Sequence, residues 1–371
     1  MESVRGPIRP AQCVGAQRRG ASAGVTSRQR LLAAIRCETP DRVPVGPFDL
    51  GHLDPHGPMA RELIEKTDPF ISPGCGGDPV LGKRAVHESR REGDTTTTST
   101  RTPAGDLVTR VRRTAVTSAT IEFPFKTPDD VERFLSVPYE PPDVDVSAFM
   151  DWKARIGENG LVMAGIGDAV CVPASWFSPE GFCLAWADCP DLLRRLTSVV
   201  ADRLNAFVDR LCRAGVDAFR IVGGEYASVQ LGPRGFEDLV VAFDSELVDV
   251  MHRHGAIAYF HNHGPIMDYL DAIVRIGVDA LDPLEAPPFA DADLAEAKRK
   301  LQGRVCMVGN LDDMEVIDRL PRAEVQAIAR ERLAAAGPDG FVLGGTASGT
   351  YTEAGARNFI AMVEVAKEFA A

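Results

Sequence analysis

The sequence predicts an α/β protein built as a (β/α)8 barrel, and three observations carry that prediction. From Thr127 onward the chain repeats one unit: a short apolar strand, a loop rich in Gly, Asp, Glu or His, and an amphipathic helix. No Gly-x-Gly-x-x-Gly run follows the first strand, which disfavours a dinucleotide-binding sheet. A stretch of alternating polar and β-favouring residues interrupts the early part of the chain, as an inserted hairpin would. A doubly wound open sheet is the competing architecture.

The elements follow in order. Residues 1–25 carry Arg5, Arg9, Arg18 and Arg19 against the single acid Glu2, with Gly, Ala, Pro and Ser between them. They read as a disordered N-terminal tail, and the barrel is expected over residues 26–371. Ser27 is placed to cap a helix carrying Leu31, Leu32 and Ile35 on one face, and Thr39-Pro40 ends it. Arg42 to Asp49 then reads as the first strand, and the Gly/Pro-rich stretch around Ile71 as a second, irregular one. Thr95–Arg101 and Leu107–Val116 form the hairpin about a Pro/Gly turn, and Thr127-Pro128-Asp129-Asp130 opens a short helix. Six further strands are expected at Leu161–Gly165, Ala218–Val222, Ile257–Phe260, Ala280–Leu281, Val305–Val308 and Phe341–Leu343. That makes eight.

Composition narrows the function. The chain has 371 residues with 41 Lys+Arg against 53 Asp+Glu, a formal charge of −12 that opposes binding to nucleic acid or anionic membranes. No apolar run approaches the ~18 residues that span a bilayer. The eight cysteines are scattered, with no Cys-x-x-Cys pair, which fits a reducing cytoplasm. A small-molecule substrate is the remaining class of partner, and a homo-oligomer is compatible with the composition.

In a (β/α)8 barrel, chemistry sits at the carboxyl ends of the strands. Polar residues collect there: Asp49 and His52 after the first strand, Asp168 after the third, and Glu225 and Tyr226 after Gly223-Gly224. His261 and His263, Glu285, Asn310 and Ser348 follow. Asp49, Asp168 and Glu225 are candidate acid/base groups, and His52, Tyr226, Asn310 and Ser348 candidate substrate contacts. The spacing His261-x-His263 can present two imidazoles at the mouth. With Glu285 as an anionic donor they form a candidate divalent-metal set, zinc being the first choice, and Glu225 is a candidate fourth ligand or orienting partner. His252 and His254 lie at a helix end and Asp312 before a helical segment, where helix-end charge and capping explain them.

Several of these segments, in this order, resemble the uroporphyrinogen decarboxylase superfamily. They are Thr39-Pro40-Asp41-Arg42-Val43-Pro44, Thr102-Pro103-x-Gly105, Phe125-Lys126-Thr127-Pro128-Asp129-Asp130, His261-x-His263-Gly264 and Asn358-Phe359-Ile360-Ala361-Met362. The resemblance covers nearly everything from Ser27 on. It implies a (β/α)8 barrel and a branch that includes corrinoid and coenzyme M methyltransferases, related to cobalamin-independent methionine synthase. Those relatives hold zinc with His-x-Cys, a later Cys and, in the synthase, a Glu. By resemblance His261 matches the His, His263 stands at the first Cys position, Glu285 matches the Glu, and no thiol stands near Thr346 to Ser348. The haem-pathway decarboxylases carry an Arg-rich motif at the first strand and a central Asp. Here the first strand reads Gly46-Pro47-Phe48-Asp49-Leu50-Gly51-His52, and Asp78 is a poor counterpart for that Asp, so the chain reads as a paralogue.

The resemblance therefore implies a metal-dependent methyl or alkyl transferase, or a demethylase, with a corrinoid protein or a folate-type carrier as methyl partner. A metal-free decarboxylase or lyase using Asp49, Asp168 or Glu225 is the second expectation. A ligand-binding barrel without chemistry is the third.

Overall fold

In the computed structural model the structure is described for residues 24–115, 117–346 and 349–370. The tail expected over residues 1–25 lies, but for its last two residues, outside the described residues. So does Ser348.

Thirteen strands occur among the described residues. In chain order β1 is Val45–Gly46, β2 Phe70–Ile71, β3 Val86–Glu92, β4 Thr95–Arg101, β5 Leu107–Arg113 and β6 Ser118–Glu122. Next come β7 Leu161–Val162, β8 Ala164–Gly167, β9 Ala218–Val222, β10 Ile257–His261, β11 Ala280–Asp282, β12 Cys306–Leu311 and β13 Phe341–Gly345. A parallel sheet runs β1-β13-β12-β11-β10-β9-β8, and β2 pairs in parallel with β7. Only Met163 separates β7 from β8, so the two form one stave. Backbone hydrogen bonds join the remaining seam: Asp68 N–H to the Val45 carbonyl (2.8 Å), Phe70 N–H to Pro47 (3.0 Å) and Asp49 N–H to Phe70 (2.8 Å). Eight parallel staves thus close on themselves, as the sequence predicts.

Side-chain alternation divides the apolar residues into two layers. Phe70, Met163, Tyr259, Val308 and Val342 fill the barrel interior, where Leu31, Ala34 and Ile35 of the helix Ser27–Ile35 join them. That helix plugs the amino-terminal end, since the following Cys37 lies against Gly340 at the start of β13. A larger layer packs the opposite strand faces against the outer helices, among them the 24-residue helix Pro190–Arg213. Both faces of most staves are therefore buried, β8 excepted at Gly165 and Gly167, which explains why the strands read as short apolar runs without alternation.

Three local expectations are corrected. The helix cap is Thr26, whose side chain accepts from Gln29 N–H in a capping box, while Ser27 Oγ donates to the Thr67 carbonyl (2.7 Å). The first strand is confined to two residues because Pro44 and Pro47 flank it. The hairpin is the middle of a four-stranded antiparallel sheet, β3-β4-β5-β6. Its outer strand β3, Val-His-Glu-Ser-Arg-Arg-Glu, is exposed along its whole length and so carries no burial pattern to read. The caps at Thr127 and Asp312 form as expected; Asp312 accepts from Met314 and Glu315 N–H.

Candidate active site

Strand register brings the first polar cluster together. His261 is the partner of Asp282 across β10 and β11, and both side chains face inward from neighbouring staves. His261 Nδ1 lies 3.0 Å from Asp282 Oδ1, with His261 5% exposed and Asp282 fully buried. The carboxylate accepts a hydrogen bond from Nδ1–H and leaves Nε2 as the reactive nitrogen, the arrangement of an oriented acid/base imidazole. One turn of alternation below, the fully buried Tyr259 hydroxyl faces the same carboxylate; burial first, then Asp282, drives its pKa well up.

His263 lies on the loop after β10, its ring 4.4 Å from that of His261 and edge-on to it. Its Nδ1 is 3.0 Å from Glu285 Oε1, and Glu285 Oε2 accepts from Gly264 N–H at 2.8 Å. The pairing with Glu285 raises the His263 pKa against the opposing effect of burial, and the same contact lowers that of Glu285. The expected metal trio is therefore assembled as an imidazole–carboxylate pair beside a second such pair. As folded, Glu285 is turned to His263 and to the Gly264 N–H, each ring keeps one nitrogen unengaged, and no group of three or more His, Cys, Asp or Glu among the described residues is arranged to hold a metal ion.

A second acidic cluster stands after β8. Asp168 is 3% exposed, and its Oδ1 accepts from Cys171 N–H at 3.1 Å. The buried Asp244 of the helix Ala242–Arg253 faces it, and neither carboxyl's Oδ2 finds a donor on any other residue. Burial, then the charge of Glu225, pushes the Asp168 carboxyl up to about 7, and burial holds Asp244 well above the usual carboxylate range. Two such oxygens face to face are satisfied only when one carries a proton. Glu225 itself accepts from Gly223 N–H (3.2 Å), and Tyr226 is half-buried beside it. Gly223, at φ +134°, must be glycine here, because a Cβ would stand 2.2 Å from Asp168 Oδ1.

Asp49 occupies the left-handed region at φ +51°, a rare conformation for a residue with a side chain. Its Oδ1 accepts from Ser72 N–H (2.8 Å) and its carbonyl from the Tyr351 hydroxyl (2.8 Å), so it ties β1 to its neighbours. Burial raises its pKa, opposed by that N–H and by Arg220. Asn310 is buried and donates to the Leu284 carbonyl (3.1 Å). His52 is exposed, with its backbone N–H on the Tyr351 carbonyl, and joins neither cluster. His252 and His254 pair with Asp279 and Asp209, as helix-end residues do.

Sequence reading missed Arg220, Tyr259, Asp244 and the role of Asp282. Arg220 alone left a signal: a charge inside the apolar strand Ala218-Phe219-Arg220-Ile221-Val222. Several polar atoms toward the mouth are left unsatisfied. Asp168 Oδ2, Arg220 Nε, Tyr259 OH, Asn262 Oδ1, Asp282 Oδ2 and Asn310 Oδ1 are all buried without a hydrogen-bond partner. Native interiors leave few such atoms, so their gathering on β8 to β12 marks a site built for something other than stability.

A closed parallel barrel with its unsatisfied polar groups at the strand carboxyl ends belongs to the class of (β/α)8 proteins that carry a site in the mouth. Sequence comparison specifies the family: the profile of uroporphyrinogen decarboxylase (URO-D) matches residues 122–369, and the chain belongs to that family. Curated proteins give no match. Among solved structures, a methyltransferase from Methanosarcina mazei aligns with a TM-score of 0.63 at 16% identity, covering 93% of this chain and 99% of its own. A B12-independent methionine synthase from Shewanella sp. W3-18-1 aligns with a TM-score of 0.41 at 11% identity, covering 76% of this chain and 74% of its own. The first likeness is one of fold. No helix among the described residues is long and apolar enough to cross a membrane.

Proposed function

We propose that the chain is an enzyme transferring a methyl or alkyl group to or from a small molecule, with His261 moving the proton of the group that gains or loses it. One observation carries this reading: the Asp282–His261 pair at the barrel mouth, in which the carboxylate sets the tautomer and leaves Nε2 free. When a thiol or hydroxyl accepts the methyl group, His261 takes its proton. When an ether is demethylated, His261 protonates the departing oxygen. The name of the M. mazei structure, methyltransferase, supports the direction. A corrinoid protein or a folate-type carrier is the proposed methyl partner. No group of three donors among the described residues is arranged for zinc as folded, and no step here runs through a metal; a divalent-metal site on His261, His263 and Glu285 is the expectation that the spacing and the resemblance raise.

A second reading, decarboxylation, is favoured by Asp168, whose carboxyl titrates near neutrality and can protonate a carbanion-like centre.

The test is turnover of the purified full chain against methoxylated aromatic acids with a reduced corrinoid, read as methylcorrinoid absorbance, in parallel with release of CO2 from the same acids. Methylcorrinoid formation that falls about 10²–10⁴-fold in His261→Ala is expected. CO2 release without methyl transfer would give the second reading, and one metal ion per chain, lost with activity in His263→Ala, would overturn the metal-free account.

A further inference from the structure

Arg220 is the cation at the mouth that none of this chemistry uses. It lies in the middle of β9, facing inward, with Gly165 of β8 and Tyr259 of β10 as its register partners. Its guanidinium carbon stands 4.2 Å from the centre of the Phe48 ring. It forms no ion pair within 4.0 Å among the described residues, and its buried Nε has no hydrogen-bond partner. The two other guanidiniums buried in the barrel wall are treated differently: Arg30 is shared between Asp41 and Asp68, and Arg42 is held by Asp68. Leaving a half-buried guanidinium unpaired is costly, because its lost hydration is not replaced.

Its surroundings are shaped for something to approach. Above Met163 the inward positions of β8 are Gly165 and Gly167, so that stave puts no side chain beside Arg220; a Cβ on Gly165 would meet only Ser72 Oγ. Asp49 acts on Arg220 through space while its own Oδ1 is held by Ser72 N–H. The guanidinium lies over the Phe48 ring, which shields that side and leaves the rest of the fork to bind. A planar fork with an unsatisfied donor matches a planar carboxylate in a bidentate pair.

We propose that Arg220 is the receptor for a carboxylate group of the substrate, and that the mouth selects small carboxylic acids. This rests on the enzymatic reading above for the word substrate, but the binding itself does not depend on which reaction follows. The carboxylate would be seated on Arg220 between Phe48 and the open side of β8, with the rest of the molecule directed toward His261.

The experiment is equilibrium binding to the full chain by calorimetry, using benzoate, its neutral isostere benzamide, and phenyl phosphate. Wild-type protein should bind benzoate at least tenfold more tightly than benzamide or phenyl phosphate. Arg220→Gln should weaken benzoate about 10–100-fold, the loss of a charge-assisted pair, and leave benzamide unchanged. Arg220→Lys, which keeps the charge without the fork, should fall between them, and it carries the test if the Gln variant does not fold. Equal affinity for benzoate and benzamide, benzoate binding unchanged in either variant, or no benzoate binding by wild type would overturn the proposal. Preference for phenyl phosphate would overturn the carboxylate assignment. Arg220-dependent benzoate binding without methyl transfer would sink the functional reading and leave this one standing.

Discussion

At the floor of the barrel, Asp68 is fully buried and takes hydrogen bonds from Ser27 Oγ, Arg30 Nη1, Arg42 Nη1 and Val45 N–H. At the mouth, Asp168 is almost as deeply buried, yet it faces another carboxyl and takes a backbone bond from Cys171. The floor guanidiniums of Arg30 and Arg42 are paired; that of Arg220 is not. The residue types are the same, and what differs is whether the chain supplies the partner. Where it does, charge holds strands and the plugging helix together. Where it does not, the missing partner is left for a ligand or a proton.

The comparison can be broken from either end. Asp68→Ala would leave two buried guanidiniums without their shared carboxylate, and should lower the unfolding free energy by about 3–5 kcal/mol, read by denaturant titration. A loss below ~1 kcal/mol would mean that the floor network is not the strut described. His261→Gln, whose amide can still donate to Asp282, should do the reverse, lowering turnover about 10²–10⁴-fold while leaving the denaturant midpoint close to wild type.

Asp168→Asn sharpens the contrast through pH. The folded pKa of about 7 lies above the ordinary aspartate value of 3.8, so the folded state holds the proton more tightly than the unfolded chain. Below about pH 4 both states are protonated and the group has no effect on stability. As pH rises from there to 7, the unfolded state ionises first and stability falls, and the penalty is complete above 7. The variant should therefore melt higher than wild type at pH 8 and alike at pH 4. Lower melting at pH 8 would show that the carboxyl is a structural tie.

The smallest effect is expected from Glu285→Gln. Without the carboxylate, the His263 imidazole should titrate at lower pH in an NMR pH titration, because Glu285 is the leading cause of its raised pKa. An unmoved titration would mean that the pair does not persist in solution.

The repeated apolar runs were legible because these staves are buried on both faces, and β9, β10, β11 and β13 lie where their Val, Ile, Leu, Ala and Phe residues predict. The strands β1 and β2 were less so, since two residues each carry too little pattern, and β3 was invisible because an exposed strand has no burial to record. At the mouth, His261 and His263 stood out as residue types at a strand end. Their partners did not. A sequence containing Asp282, Glu285, Glu225 and Asp168 does not say which carboxylate meets which imidazole; only the fold sets Asp282 against His261 and Glu285 against His263.

By itself the sequence determined what depends on local period and composition: the barrel, the helix caps at Thr127 and Asp312, and the strand ends where polar residues collect. Tertiary structure decided everything that depends on register and closure. The pairing of β10 with β11 sets His261 opposite Asp282, a helix far along the chain brings Asp244 to Asp168, and inward alternation leaves Arg220 without an ion pair among the described residues. The physical reason is that periodicity says which face of a strand is buried, whereas a hydrogen bond or ion pair forms over about 3 Å between residues whose separation in the chain is arbitrary.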